Sequence, residues 1–168
     1  MAKKRAFISF DFDHDEDLRG YLVKQAKNPD SPFYFTDWSV KEPFTGNWKE
    51  KVQSRIRRTD IVIVICGTHT HIADGVAAEI KIAREEGKPY FLLKGRRNKT
   101  CTKPRTALKN DKIIKWTWEN LRKEIEGKYL HEELSDWLHT PTAWILAIGG
   151  LLWVLNQKDQ KPSIQGGI

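Results

Sequence analysis

The sequence predicts an α/β protein with an open parallel sheet of four to five strands flanked by helices, followed by a hydrophobic helical tail. Short apolar runs alternate with amphipathic helical segments, and the connections between them are short. The run Ile61–Cys66 (IVIVIC) does not alternate between polar and apolar residues. Both of its faces are therefore expected to be buried, as in a parallel sheet covered by helices.

The first part of the chain predicts a strand, a helix and a second strand. Arg5–Phe10 is a short apolar run that ends in a cluster of acids, which is typical of a buried strand opening into a polar loop. Asp13 or Asp15 is expected to cap the helix that follows, because acids favour its N-terminal end. One face of that helix is marked by Leu18, Tyr21, Leu22 and Gln25. Phe33–Thr36 is the second predicted strand.

The next elements continue the alternation. Trp48–Arg58 is predicted to be a helix, because Trp48, Val52 and Ile56 recur at helical spacing and mark a core face. A helix over Gly75–Glu86 is expected to follow the central strand and to end at Gly87. The remaining elements are strands at Pro89–Leu93 and Lys112–Lys115, and a helix at Trp118–Glu126.

Charge divides the 168-residue chain into a basic body and a tail. The net charge is +7, yet residues 128–168 contain three Lys against four Asp or Glu, so the excess lies in the body. A basic body favours an anionic partner such as a nucleotide, a nucleic acid or an acidic lipid. No nucleic-acid-binding motif accompanies the basic residues of 94–109, which argues against nucleic acid. Two cysteines and a short N-terminal apolar run indicate a reducing cytosol and no signal peptide.

Motifs for common cofactors and metals are missing. The sequence contains no G-x-G-x-x-G and no Walker A motif, so the usual Gly-rich nucleotide sites are not supported. His69 and His71 lack a third ligand nearby, and the acids between residues 11 and 17 are explained by helix capping. We therefore predict no metal site.

Ligands of open parallel sheets bind at the carboxyl ends of the strands. This rule selects the loops Phe10–Asp17, Thr36–Trp48, Gly67–Gly75 and Lys94–Arg105. The candidate substrate-binding residues in these loops are Phe10, Asp11, Asp13, Trp38 and Thr68. We expect Phe10, Asp11, Trp38 and Glu79 to line one cleft, with residues 37–47 as its movable wall.

Glu79 borders the apolar face of its predicted helix. The apolar stripe consists of Val76, Ile80 and Ala83. A carboxylate at this border is partly desolvated, which raises its pKa and suits it to acid–base work or to stabilising a developing cation. The alternative is a structural ion pair with Arg84 or Lys88.

Four stretches of the sequence resemble the prokaryotic TIR-like family, which includes the TIR component of the Thoeris antiphage defence system. They are Lys4–Phe10 with the acids after it, Asp37–Pro43, Asp60–Gly67 and Ala77–Tyr90. The resemblance covers about residues 4–126, and the last stretch is its most specific part. It implies a flavodoxin-like sheet.

The resemblance also implies a chemistry. Many TIR domains cleave the nicotinamide–ribose bond of NAD with a Glu on the helix after the central strand, and Glu79 occupies that position. Thoeris TIR proteins make a cyclic or otherwise modified ADP-ribose that activates a partner effector, with NAD as substrate and no cofactor. Enzymatic TIR domains often have Trp and Ser where this chain has Gly75 and Ala73. The alternative is a catalytically silent TIR-like module for interaction or assembly.

Residues 128–168 are predicted to form a separate tail after the TIR-like domain of residues 1–127. Its first part is amphipathic, with apolar residues at Leu130, Leu134, Trp137 and Leu138. Ala143–Leu155 is apolar throughout and would extend about 20 Å as a helix, against about 30 Å for a bilayer core. We expect residues 141–157 to contact a membrane, tethering a cytoplasmic body to its inner face, or to mediate self-association.

Overall fold

The computed structural model describes residues 3–35 and 46–127. The chain divides into two compact units, Met1–Lys128 and Tyr129–Ile168, and the first contains all of the described residues. Trp38 and the predicted tail lie outside the described residues, as does nearly all of the predicted cleft wall. Within the described ranges, no helix is long and apolar enough to cross a bilayer.

The described residues form one five-stranded parallel sheet with helices between its strands, which confirms the predicted fold class. The strands lie in the order β2-β1-β3-β4-β5, the flavodoxin-like order. The strands are β1 (Lys4–Ser9), β2 (Phe33–Phe35), β3 (Ile61–Cys66), β4 (Tyr90–Lys94) and β5 (Ile113–Lys115). The helices are α1 (Phe12–Ala26), α2 (Trp48–Arg57), α3 (Asp74–Glu85) and α4 (residues 118–127), with a 3-10 turn at Thr70–Ile72.

The central strand β3 is buried on both faces, as its apolar run predicts. Its residues alternate between two core layers. Ile61, Ile63 and Ile65 pack with α1 and α4 on one face. Val62, Val64 and Cys66 pack with α2 and α3 on the other face. Each large apolar side chain buried in this way contributes about 1.5–3 kcal/mol to folding, so the two layers fix the sheet between the helices.

The start of α1 differs from the prediction, because Asp11 caps the helix in place of Asp13 or Asp15. Asp11 has an extended backbone, and its Oδ1 accepts a hydrogen bond from the backbone N–H of Asp13 at 3.2 Å. Asp15 lies one turn further on, where its own backbone departs from helical angles and its side chain is buried. At the end of α3, Gly87 has a φ of 64° and follows the last helical residues, as predicted.

The strand order sets the position of the candidate site. The chain leaves β1 toward β2 on one side and reaches β3 on the other side, so the carboxyl ends of β1 and β3 flank the point where the strand order reverses. Crevices of this kind are where open α/β sheets bind ligands. Ser9 pairs with Val64 in this part of the sheet, and helix α3 packs against β1.

Candidate functional site

Glu79 lies on the second turn of α3, near the carboxyl end of β1. The residue is partly exposed, yet its carboxyl group is desolvated. Burial raises the pKa of Glu79 from 4.5 to about 7. The Ser9 hydroxyl and the positive charge of Arg55 act in the other direction and lower this pKa, but by less. A carboxyl group with this pKa changes its ionisation near neutral pH and holds its charge in a medium of low dielectric constant. Both properties are typical of functional carboxylates.

Ser9 is the residue of β1 that faces Glu79. Its side chain is fully buried on the face of the sheet that packs against α2 and α3. The Ser9 hydroxyl forms no hydrogen bond of standard geometry within the described part of the chain, although it lies close enough to Glu79 to lower its pKa. A buried hydroxyl without a well-formed partner is costly to folding unless a ligand or water uses it. Ser9 therefore belongs to the candidate site.

Two stacked histidine rings join the first turn of α1 to the loop that follows β3. The rings of His14 and His69 lie 4.2 Å apart, centroid to centroid. His14 Nδ1 lies 2.8 Å from Asp11 Oδ2, and His69 Nδ1 lies 3.0 Å from Thr68 Oγ1. This contact chain brings two of the predicted substrate-binding residues, Asp11 and Thr68, to the same edge of the sheet.

The other predicted substrate-binding residues are placed differently. Phe10 packs against the core layer of α1 and α4, the opposite face of the sheet from Glu79, with its ring 5.9 Å from that of Phe12. Asp13 is exposed in the first turn of α1. The described residues thus bring Glu79 to Ser9 and Asp11 to Thr68. A single cleft that also includes Phe10 and Trp38 stays a prediction.

A buried ion pair behind the site was missed by the sequence analysis. The Asp15 carboxylate is almost fully buried, and its Oδ1 accepts a hydrogen bond from the Arg96 guanidinium at 3.1 Å. Arg96 also donates to both carboxylate oxygens of Asp17, at 2.6 and 2.7 Å. Gly67, the first residue after β3, leaves the space that the Asp15 carboxylate fills. The pairing joins residues about 80 positions apart, so no local pattern could have indicated it.

The described residues offer no cluster of metal-binding side chains. Across residues 3–35 and 46–127, no three His, Cys, Asp or Glu side chains meet in a way that could hold a metal ion. The His71 ring instead lies 3.1 Å from the Thr102 hydroxyl, and the His71 N–H donates to the same oxygen at 3.1 Å. These contacts fasten the loop after β3 to the long loop after β4.

The sheet order, together with Glu79 on the helix after the central strand, agrees with the TIR-like class that the sequence resembles. A family model described as "Thoeris protein ThsB, TIR-like domain" matches residues 7–100, more than half of the chain. The chain therefore belongs to the Thoeris ThsB TIR-like family, and is a TIR protein of antiphage defence. None of the curated proteins matches it.

Proposed function

We propose that this chain cleaves the nicotinamide–ribose bond of NAD and produces an ADP-ribose-derived signal, linear or cyclic, in antiphage defence. The observation that carries the proposal is the desolvated Glu79 carboxyl group at the carboxyl end of β1. It stands on the helix after the central strand, where the family resemblance expects a catalytic carboxylate.

The chemistry follows from the charge that develops during bond cleavage. As the N-glycosidic bond breaks, its electron pair passes to the nicotinamide ring, which leaves as a neutral molecule, and positive charge builds up on the ribose. The Glu79 carboxylate stabilises that charge and accepts hydrogen bonds from the ribose hydroxyls. Its desolvation strengthens the attraction, because charges interact more strongly at low dielectric constant.

The acceptor decides which product forms. Water gives linear ADP-ribose, whereas attack by the adenine or ribose end of the same molecule gives a cyclic product. The positive charge of residues 1–127 suits the pyrophosphate of the substrate. The nucleotide product would then carry the signal to an effector protein, and the body would act in the cytoplasm, with the tail contacting a membrane or a second copy of the chain.

Incubation of the pure full-length chain with NAD tests the proposal directly. Nicotinamide release is followed by liquid chromatography, first with the chain alone and then with lysate of phage-infected cells as a source of a trigger. We expect release of nicotinamide together with an ADP-ribose-derived product. No release under either condition contradicts the proposal and favours the catalytically silent interaction module, the alternative that Gly75 and Ala73 suggest.

The rate of NAD cleavage should rise with pH and level off above about pH 7. The mechanism requires the ionised form of Glu79, whose pKa is raised by burial to about 7. Below that pH the carboxyl group is protonated and cannot stabilise the ribose cation. Initial rates at saturating NAD between pH 5 and 8.5 measure this dependence. A rate that is constant over the range, or that falls as the pH rises, contradicts the assigned role.

Ser9→Ala should displace this pH profile toward higher pH. The Ser9 hydroxyl lowers the pKa of Glu79, so its removal should raise that pKa further. Ser54→Ala is the control, because that hydroxyl accepts a hydrogen bond from Arg58 instead. A reduced rate with an unchanged profile would mean that Ser9 acts only through packing.

A further inference from the structure

A second groove lies at the far end of the sheet from β2, between the carboxyl ends of β4 and β5 and helix α1. It has a volume of about 790 Å³, which is within the range of small-molecule sites. Among the described residues, none of those proposed for catalysis or substrate binding lines it. Its polar and aromatic lining residues are Tyr21, Lys94, Arg97, Asn98, Lys115, Trp116 and Thr117.

Two lysines that line this groove lie side by side where β4 and β5 end. Lys94 and Lys115 are direct neighbours in the register of β4 and β5. Like charges directly opposite each other on neighbouring strands destabilise a sheet. The Lys94 ammonium donates a hydrogen bond to the backbone carbonyl of Arg97 at 3.3 Å. In the described part of the chain, the side chains of Lys94, Lys115 and Arg97 form no ion pair. The arrangement leaves three positive charges that an anion would neutralise.

Two acids in the first part of α1 are engaged by a cation that does not line the groove. Asp15 and Asp17 both bind Arg96, the residue between Gly95 and Arg97 in the same loop. Burial of Asp15 and the geometry of the Asp17 pair keep these carboxylates on Arg96. The acids at the start of α1 therefore do not neutralise the positive charges of the groove.

Two aromatic residues, Tyr21 and Trp116, also line the groove. Tyr21 is 58% exposed, so its ring is accessible to a ligand in the groove. Trp116 is half-buried, and its Nε1–H donates to Gln25 Oε1 at 2.7 Å, so its ring is held in a fixed orientation. The two rings could stack on the planar base of a nucleotide, and the neighbouring cations could bind its phosphate group.

The positive surface continues on the other face of the sheet edge. A shallower groove of about 520 Å³ shares Lys94, Arg97 and Asn98 with the first and adds Lys99. A chain of two or three phosphates could extend from one groove to the other past the paired lysines. The observations favour a small phosphorylated ligand with an aromatic ring over a lone anion.

We propose that the groove between α1 and the carboxyl ends of β4 and β5 is a nucleotide-binding site separate from the Glu79 site. Lys94, Lys115 and Arg97 bind the phosphates, and Tyr21 and Trp116 contact the base. The site does not depend on NAD cleavage, so it stands whether or not the chain is an enzyme.

Isothermal titration calorimetry of the full-length chain with ATP, at low ionic strength, tests the site. We expect saturable one-to-one binding that the double variant Lys94→Gln/Lys115→Gln weakens at least tenfold. The control, Lys112→Gln/Lys123→Gln, removes the same charge from exposed lysines outside the groove and should change the affinity less than twofold. The groove variant relieves the repulsion between neighbouring lysines, so its melting temperature should not fall.

The ring contact is tested with Tyr21→Ala, and Tyr34→Ala is the matched control on β2. Tyr21→Ala should weaken ATP binding about fivefold and leave tripolyphosphate binding unchanged, because stacking on a base contributes at this level. Glu79→Gln should bind ATP like the unmodified chain, which separates this site from the catalytic one.

Several outcomes overturn the proposal. Absence of saturable ATP binding does so, as does an equal loss of affinity in both double-lysine variants, which would show an effect of net charge alone. One-to-one binding of a single-stranded oligonucleotide without binding of ATP would assign the surface to nucleic acid. Loss of ATP binding in Glu79→Gln would place ATP in the Glu79 site.

Discussion

Glu79→Gln should lower the rate of nicotinamide release from NAD at least about 100-fold. The substitution keeps the shape of the side chain but removes the charge that stabilises the ribose cation, and loss of one such electrostatic contact costs roughly 100- to 1,000-fold in rate. KM for NAD should change much less, because the neutral amide still accepts hydrogen bonds from ribose hydroxyls. Initial rates at saturating NAD and pH 8 measure the effect.

The matched control is Glu85→Gln on the same helix. Glu85 is exposed, and within the described residues its ion pair is with Lys81, 3.8 Å away and one turn along the surface of α3. Its replacement removes the same charge and should leave the rate within about twofold, because exposed ion pairs contribute little. If both variants keep full activity, Glu79 is a structural residue and the proposed mechanism is wrong.

A stability measurement separates lost chemistry from lost folding in Glu79→Gln. Burial raises the pKa of Glu79 to about 7, so the native state binds the proton more tightly than the unfolded chain does. The free energy of unfolding of the unmodified chain therefore falls as the pH rises from about 4.5 to about 7, and levels off above. Glutamine does not titrate, so the variant should be more stable at pH 8, by about 2 kcal/mol, and similar at pH 4.5. An inactive but more stable variant identifies a carboxylate that serves function at the expense of stability.

Local patterns in the sequence were sufficient to predict the sheet. The bounds predicted for Ile61–Cys66 are those observed, because a short run of β-branched residues between polar segments leaves little freedom in register. Gly87 ends α3 as predicted, because only glycine adopts its left-handed backbone without strain. At the other strands the predicted bounds differ by a residue or so, where burial does not change sharply along the chain.

The start of α1 shows where local patterns are insufficient. Any of the acids Asp11, Asp13 and Asp15 can cap a helix, and sequence alone does not rank them. The choice falls on Asp11 because Asp15 is drawn into the interior by Arg96, a partner that lies far away in sequence. Long-range pairing of this kind leaves no periodic signal.

The sequence predicted only part of the candidate site, because contacts between distant segments leave no local pattern. The border position of Glu79 follows from helical periodicity, and desolvation of its carboxyl group follows from that position. Ser9 was not predicted as a site residue, because it lies inside the predicted strand Arg5–Phe10 and a single small polar residue in an apolar run gives no signal of its own. Strand alternation, with Phe7 and Ser9 on one face and Phe10 on the other, would have indicated that Ser9 and not Phe10 faces α3.

Gly67→Ala should destabilise the fold by about 3 kcal/mol, the upper part of the range for an inserted methyl group in a packed interior. A Cβ at this position would overlap the Asp15 carboxylate, whose position is fixed by burial and by Arg96. Either the carboxylate moves and weakens the ion pair, or the end of β3 moves away from α1. Thermal unfolding should show a melting temperature lower by about 10 °C.

Two further variants show whether the Asp15 carboxylate is the cause. Gly20→Ala is the control, because a Cβ at Gly20 of α1 meets no atom within 4 Å and alanine favours a helix, so that variant should be at least as stable as the unmodified chain. An Asp15→Ala background removes the three atoms nearest to the added Cβ, and Gly67→Ala should then cost less than about 1 kcal/mol. An equal cost in both backgrounds would mean that the backbone of Gly67, and not the carboxylate beside it, requires glycine. A reduced cost would establish that the contact between Asp15 and Gly67 holds α1 against the end of β3, where the loops of the candidate site begin.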